Sequence, residues 1–400
     1  MPNNEIKDSK VEREKSKIIK EIAMKFANPK DYKYKFEKYF PIDLFSPELN
    51  IASKYKSLGG AEALGEPVRK EALIWTFANG SCICFNQKLF KSFYIYGAIY
   101  AKWLSLGGMS FGIPCTDETS TPDNIGRFNH FNDNTASIYW TPHTGAAAIW
   151  GDIRKKWESL GWERSYLGYP ISDEVDFAEG GRANEFQNGG IYWWPDTGAI
   201  DLRDVIVHYT GLYCFGEADW DQGSSEDEPY AIISVSTPRI AATYATRVYT
   251  DVDSGDSRPD LMEIYRGRPY GINFSIAMME NDFGDPNRYK EEIHKIVMEV
   301  HKAGIEAFRF IPIVGPIIAK IADPMLGALM PSISSTINDI FDFGDDHIGG
   351  TKMTISAKQM VLLAARTNNS QFYDIGYKLE SELMSGGGAS YKVYFGVVPA

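Results

Sequence analysis

Trp157-Glu158-Ser159-Leu160-Gly161, followed by Gly168-Tyr169-Pro170, decides the reading of this chain because it occurs three times. The earlier copies are Tyr55-Lys56-Ser57-Leu58-Gly59-Gly60 with Gly65-Glu66-Pro67, and Trp103-Leu104-Ser105-Leu106-Gly107-Gly108 with Gly112-Ile113-Pro114. The leading aromatics stand 48 and then 54 positions apart. A period of that size means one supersecondary unit copied and packed against its neighbours, since a unit this small cannot bury its apolar face alone. Ile153, Trp157 and Leu160 recur at helical spacing and Gly161 stops the helix.

The last two copies continue alike. Gly126-Arg127-Phe128 and Ile138-Tyr139-Trp140-Thr141-Pro142-His143-Thr144-Gly145-Ala146 are matched by Gly181-Arg182 and Ile191-Tyr192-Trp193-Trp194-Pro195-Asp196-Thr197-Gly198-Ala199. Aromatic and β-branched runs bounded by Gly, Asn and Pro read as strands, so each unit reads as a short helix, a Gly/Pro turn and a hairpin. These units resemble LGFP repeats over roughly residues 51 to 202. The first copy is degenerate, with Cys82-Ile83-Cys84-Phe85 where Ile-Tyr-Trp is expected. The resemblance implies a non-catalytic module that binds a cell wall or glycan. The residues that would contact sugar are Arg127, Tyr139, Trp140, Arg182, Tyr192, Trp193 and Trp194. Consecutive strand residues point to opposite faces, so at least one aromatic of each pair points away from the core.

A net charge of −12 argues against nucleic acid as partner, because phosphate binding needs a basic face. The first 40 residues are the exception, with eleven Lys/Arg against seven Asp/Glu, and Val11, Ile18, Ile19, Ile22 and Phe26 form one apolar stripe. This is the pattern of a charged amphipathic helical arm. The start Met1-Pro2-Asn3-Asn4-Glu5 lacks the apolar core of a secretory signal. The expectation is synthesis in the cytoplasm and release by a non-classical route to act outside the cell. Four cysteines are too few for a disulfide scaffold, and Cys82 and Cys84 read as buried free thiols.

Beyond residue 202 the pattern becomes strands separated by acidic loops, near 205–216, 230–236, 244–250, 261–266, 271–279, 351–356 and 391–398, with a short helix around Met360 and Leu363. If the strands alternate up and down, the loops carrying Asp219, Asp221, Asp227, Asp251, Asp253, Asp282 and Asp345 fall at one end. Crowded carboxylates on irregular loops are what calcium takes, so calcium is the expected cofactor there; solvated turns of Asp and Gly are the alternative. Residues 303–338 are nearly uncharged and hold four prolines. Their apolar runs are shorter than the roughly 20 residues a spanning helix needs. Phe310, Ile313, Ile317, Met325 and Leu329 belong either to a buried helical hairpin or to a membrane-active insert of the pore-forming kind.

The sequence therefore predicts an α+β, multi-domain chain. A helical arm over 1–50 is followed by a pseudo-symmetric helix-hairpin repeat module over 51–202, and then by a β-sandwich-like domain over 203–400 with a helical hydrophobic insert at about 287–341. His-Glu-x-x-His, phosphate-cradling and dinucleotide-binding patterns do not occur, and no enzyme is expected. The function expected is glycan or cell-surface binding. The alternative is a toxin-like effector whose repeats target a surface and whose insert contacts the membrane.

Overall fold

The structure is a computed structural model that describes residues 46–217, 227–281, 290–291, 293–299, 302, 347–366 and 379–400. Among these the architecture is mostly β, in five antiparallel sheets with few helices. This corrects the expected α+β class and its helix-hairpin unit. The first copy is a four-stranded meander in the order β1 (Pro67–Lys70), β2 (Ile74–Phe77), β3 (Ser81–Asn86), β4 (Lys91–Tyr96). The second copy contributes β5 (Thr119–Ser120), β6 (Arg127–Phe131), β7 (Ala136–Thr141) and β8 (Gly145–Trp150). In the third, β9 (Val175–Asp176), β10 (Arg182–Phe186), β11 (Gly189–Trp194) and β12 (Gly198–Leu202) again pair in sequence order.

Three of these strands escape a hairpin reading for a physical reason. β5 and β9 are two residues long and carry no alternation. β8 runs through Ala146-Ala147-Ala148, whose intrinsic preference is helical; pairing with β7 overrides it.

The helices are α1 (Pro47–Ser57), α2 (Gly60–Leu64), α3 (Gly97–Ser105), α4 (Gly151–Leu160) and α5 (Ala357–Ala365). Gly161 ends α4 in the left-handed region at φ +99°, where a side chain would be strained. Ser46 caps α1 and Pro47 takes its first turn.

The chain divides into two compact units. One comprises the described residues up to Thr119 with Asn129–Asp133, the other Ser120–Phe128 with Asn134–Ala400. In the first unit α1 lies on β3 and β4. Ile51 packs there with Trp75, Phe77, Ile83 and Phe85, and Tyr55 stacks on Phe77 at 5.4 Å. Cys82 and Cys84 are buried free thiols whose sulfurs touch at 3.5 Å, and burial pushes the Cys82 thiol up, with Cys84 adding to the effect.

In the second unit α4 packs on β8 and on β11 and β12, burying Trp157 with Tyr139, Ile149, Leu167 and Phe186. The remaining strands form two facing sheets. One has the order β16 (Ser257–Gly267), β13 (Val205–Gly216), β21 (Ala389–Pro399), β19 (Leu379–Glu380), with β20 (Met384–Gly386) also on β21. The other runs β15 (Ala241–Ala245), β14 (Pro229–Ser236), β17 (Ile272–Glu280), β18 (His347–Ile355). Inward residues of both meet in one core, where Phe274 and Phe395 lie 4.8 Å apart. The strand expected over 244–250 lies instead at 241–245. α5 covers β21 and β13 and also packs on β12, so the third repeat shares the sandwich core. Ile293 and Val297, in a helical segment within the span expected for the insert, are buried.

Candidate functional site

Alternation along β11 sorts its aromatics. Tyr192 and Trp194 face the core shared with the sandwich and are fully buried, Phe177 lying 5.1 and 5.7 Å from their rings. The Trp194 indole N–H donates to the Ala178 carbonyl at 2.9 Å. Ile191 and Trp193 face the other way; Ile191 is buried and Trp193 is partly exposed. In β7 the same order recurs, with Tyr139 buried and Trp140 partly exposed. The structure thus brings Trp140 and Trp193 to the surface at equivalent positions. Tyr139, Tyr192 and Trp194 are core residues without a ring face for a sugar, which corrects their expected role.

What stands beside each surface indole matters for access. Trp140 is opposite Ala146, and Trp193 is opposite Ala199 on one side and Arg182 on the other. Directly opposed strand residues have neighbouring side chains. A methyl group is too short to cover an indole, but Trp193 and Ala199 both pack against the buried cluster around Trp157, so Trp193 is partly a core residue.

The arginines do structural work. Arg182 pairs through Nε with the buried Glu174 at 2.5 Å and through Nη1 with Asp176 at 2.8 Å, and its guanidinium lies 5.8 Å from the Trp150 ring. Burial raises the Glu174 pKa, and Arg182 opposes the rise. Arg127 donates to the Ser120 hydroxyl at 3.3 Å.

A motif that sequence reading passed over explains how copies are joined. Pro114-Cys115-Thr116-Asp117-Glu118 and Pro170-Ile171-Ser172-Asp173-Glu174 repeat one pattern. Asp117 accepts the Tyr94 N–H at 2.8 Å, and Asp173 accepts the Ala148 N–H at 2.8 Å. The next residue in each motif donates its N–H to the same strand residue's carbonyl, at 3.2 and 3.1 Å. Each turn therefore satisfies backbone groups on the last strand of the copy before it.

The second and third copies also enclose an aromatic column. Phe128 stacks on Tyr139 at 5.1 Å, Tyr139 on Trp162 at 6.2 Å, and the Arg154 guanidinium lies 4.8 Å from the Trp162 ring. Trp162 holds φ +59°, where the other copies have Gly60 at +58° and Gly108 at +59°. A bulky residue there is strained, and its packing must offset that strain. Beside it Glu163 is 7% exposed with no partner for Oε1, and burial, reinforced by the Asp123 carboxylate, raises its pKa. Burial would also raise Asp123, but hydrogen bonds from Thr121, Tyr169 and the N–H groups of Ile125 and Gly126 outweigh it and hold that carboxyl low.

Sequence reading also overlooked Gly108-Met109-Ser110-Phe111-Gly112, which has the Gly-x-Ser-x-Gly spacing of serine hydrolases. Such a nucleophile sits on a strand-to-helix turn. Here a helix precedes it and Ser110 ends a 3-10 turn, so the match lacks its structural context.

Of the acidic residues expected to hold calcium, Asp219, Asp221, Asp282 and Asp345 lie outside the described residues. The described edges of these loops do meet at one end: Asp227 bridges Val252, Ser254 N–H donates to Glu217 at 3.2 Å, and Asn281 N–H donates to the Glu228 carbonyl at 3.2 Å. Asp227 is buried and its carboxylate accepts the Tyr391 hydroxyl at 2.7 Å, while Asp251 and Asp253 are exposed. No group of three metal-ligating side chains converges among the described residues. Phe310, Ile313, Ile317, Met325 and Leu329 lie outside the described residues as well. No helix among those described is long and apolar enough to cross a membrane.

The comparisons with known proteins bear on the repeats. Residues 111–165 and 167–209 match the LGFP repeat, each match beginning at a Gly-x-Pro turn, Phe111-Gly112-Ile113-Pro114 or Leu167-Gly168-Tyr169-Pro170. No curated protein matches the chain. LGFP repeats are consistent with a cell-surface or cell-wall associated protein, and the family is not a catalytic one.

Proposed function

Because residues 111–165 and 167–209 are LGFP repeats, we propose that this protein binds a cell-surface or cell-wall glycan without catalysis, through Trp140 and Trp193. The observation that supports the reading is their shared environment: one partly exposed indole per repeat, at the same strand position, opposite an alanine. The electron-rich face of an indole attracts the C–H groups on the apolar side of a sugar ring, and each of these indoles keeps part of its surface exposed. Two equivalent platforms suit a polymer whose units repeat. Two linked weak contacts gain through effective concentration what neither achieves alone. The first copy has Phe85, buried, at the strand position that carries Trp in the others, and contributes no platform.

The test is co-sedimentation of the full chain with insoluble cell-wall polysaccharide. The parent is expected in the pellet and the Trp140→Ala/Trp193→Ala variant in the supernatant, with both still folded by a cooperative melting transition. Undiminished pelleting of the double variant would move the site elsewhere.

A further inference from the structure

The outer face of the β16-β13-β21 sheet contains a cavity of 390 Å³ that no repeat residue lines. Its floor owes its shape to a bulge. The register of β13 shifts between Tyr209 and Gly211 against both neighbouring strands. Gly211 lies at φ +129°, and a Cβ there would stand 2.4 Å from the Arg258 carbonyl oxygen, so the bulge requires glycine. On β21, Gly396 adds no side chain to the floor.

The walls are chemically one-sided. They hold two guanidinium groups, Arg258 on β16 and Arg366 at the C-terminal cap of α5, with the hydroxyls of Thr210, Ser257, Tyr213 and Tyr394. Among the described residues no carboxylate lines the cavity. Asp256, outside the lining, holds Arg258 Nη1 at 2.8 Å, and Nη2 donates to the Asp251 carbonyl, so the guanidinium is fixed in orientation. Phe215, 49% exposed, lies 4.7 Å from the Tyr213 ring with its plane tilted by 60°, and adds an angled aromatic shelf beside the wall.

Planar guanidinium groups match the two oxygens of a carboxylate or phosphate, hydroxyls match a polyhydroxylated body, and an aromatic shelf matches a sugar ring. The volume falls in the range of about 300–1,000 Å³ typical of small-molecule sites. The geometry points to a second binding site, for a sugar bearing an oxyanion, carried by the sandwich and independent of the repeat platforms. The oxyanion is a carboxylate, as in a hexuronate, or a phosphate ester; the two share the chemistry that the arginines recognise.

Titration calorimetry of the full chain with D-glucuronate, D-glucose 6-phosphate and D-glucose tests this. At least one acid is expected to give saturable heat and glucose none; which acid does so identifies the oxyanion. Gly396→Leu fills the cavity without backbone strain, since the nearest atom to a Cβ there is Thr210 Cγ2 at 3.6 Å. It is expected to abolish the heat, and Arg258→Met to weaken binding at least tenfold. Trp140→Ala/Trp193→Ala is expected to leave the heat unchanged. Silence from both acids, equal binding of glucose, or binding that survives Gly396→Leu would overturn the assignment.

Discussion

Replacing Trp157 with alanine should strongly destabilise the second unit. The side chain is fully buried. Its ring lies 4.7 Å from Tyr139, 5.2 Å from Trp162 and 5.4 Å from Phe186. Truncating a buried aromatic costs roughly 3–5 kcal/mol, lost transfer energy plus the cavity left behind. Three aromatic contacts, each worth about 0.5–1.5 kcal/mol beyond area, place this residue at the upper end of that range. The indole Nε1 has no hydrogen-bond partner, so no polar loss adds to the total. A domain of 150–250 residues shifts by about 2–4 °C per kcal/mol, which gives a fall of roughly 6–20 °C in the melting transition. Scanning calorimetry of the parent and of Trp157→Ala reads this directly, with Trp157→Phe as an intermediate case. A Trp157→Ala variant that melts with the parent would refute the packing of α4 between the two repeat sheets.

Asp173→Ala removes the acceptor for the Ala148 N–H and should cost about 1–3 kcal/mol in urea denaturation, whereas an ordinary exposed loop residue would cost almost nothing. Trp162→Gly relieves the left-handed strain but loses the contacts with Tyr139, Trp157 and Arg154; packing should win, and the variant should melt below the parent. Glu163 has a raised folded pKa, so its protonated form favours the folded state. Its stabilising contribution is complete below the unfolded glutamate value and is lost as pH rises through the folded value. Glu163→Gln should therefore raise the melting temperature at pH 7 more than at pH 4; an equal shift at both pH values would count against a buried carboxylate.

The repeat was legible because its punctuation is chemical: Gly161 stops α4 at a positive φ, and Gly-x-Pro fixes the turn that follows. Strand alternation also separated Tyr139 from Trp140 and Tyr192 from Trp193. It failed to identify Trp194 as core, because what buries that ring is remote in sequence or on the preceding turn: Phe177 on one side and Lys358 of α5, 5.7 Å from the ring. The four-stranded meander was hidden for local reasons, two strands being too short and β8 too rich in alanine. The acidic loops show a different limit. The described edges of these loops, at Glu217, Asp227, Val252, Ser254 and Asn281, meet at one end, yet alternation says nothing of where a carboxylate points, and Asp227 points at Tyr391. The junction motif at Asp117 and Asp173 was readable all along, as a second repeated element after each Gly-x-Pro.

The most direct test of the account is a calorimetric titration of the full chain with an oligosaccharide released from the wall material that retains it, using the parent, both single alanine variants of Trp140 and Trp193, and the double variant. The account predicts saturable binding by the parent, a loss on the order of 10²-fold for each single variant as the paired contact becomes a lone one, and no heat for the double variant. Equal affinity across all four proteins, each with an intact melting transition, would contradict it.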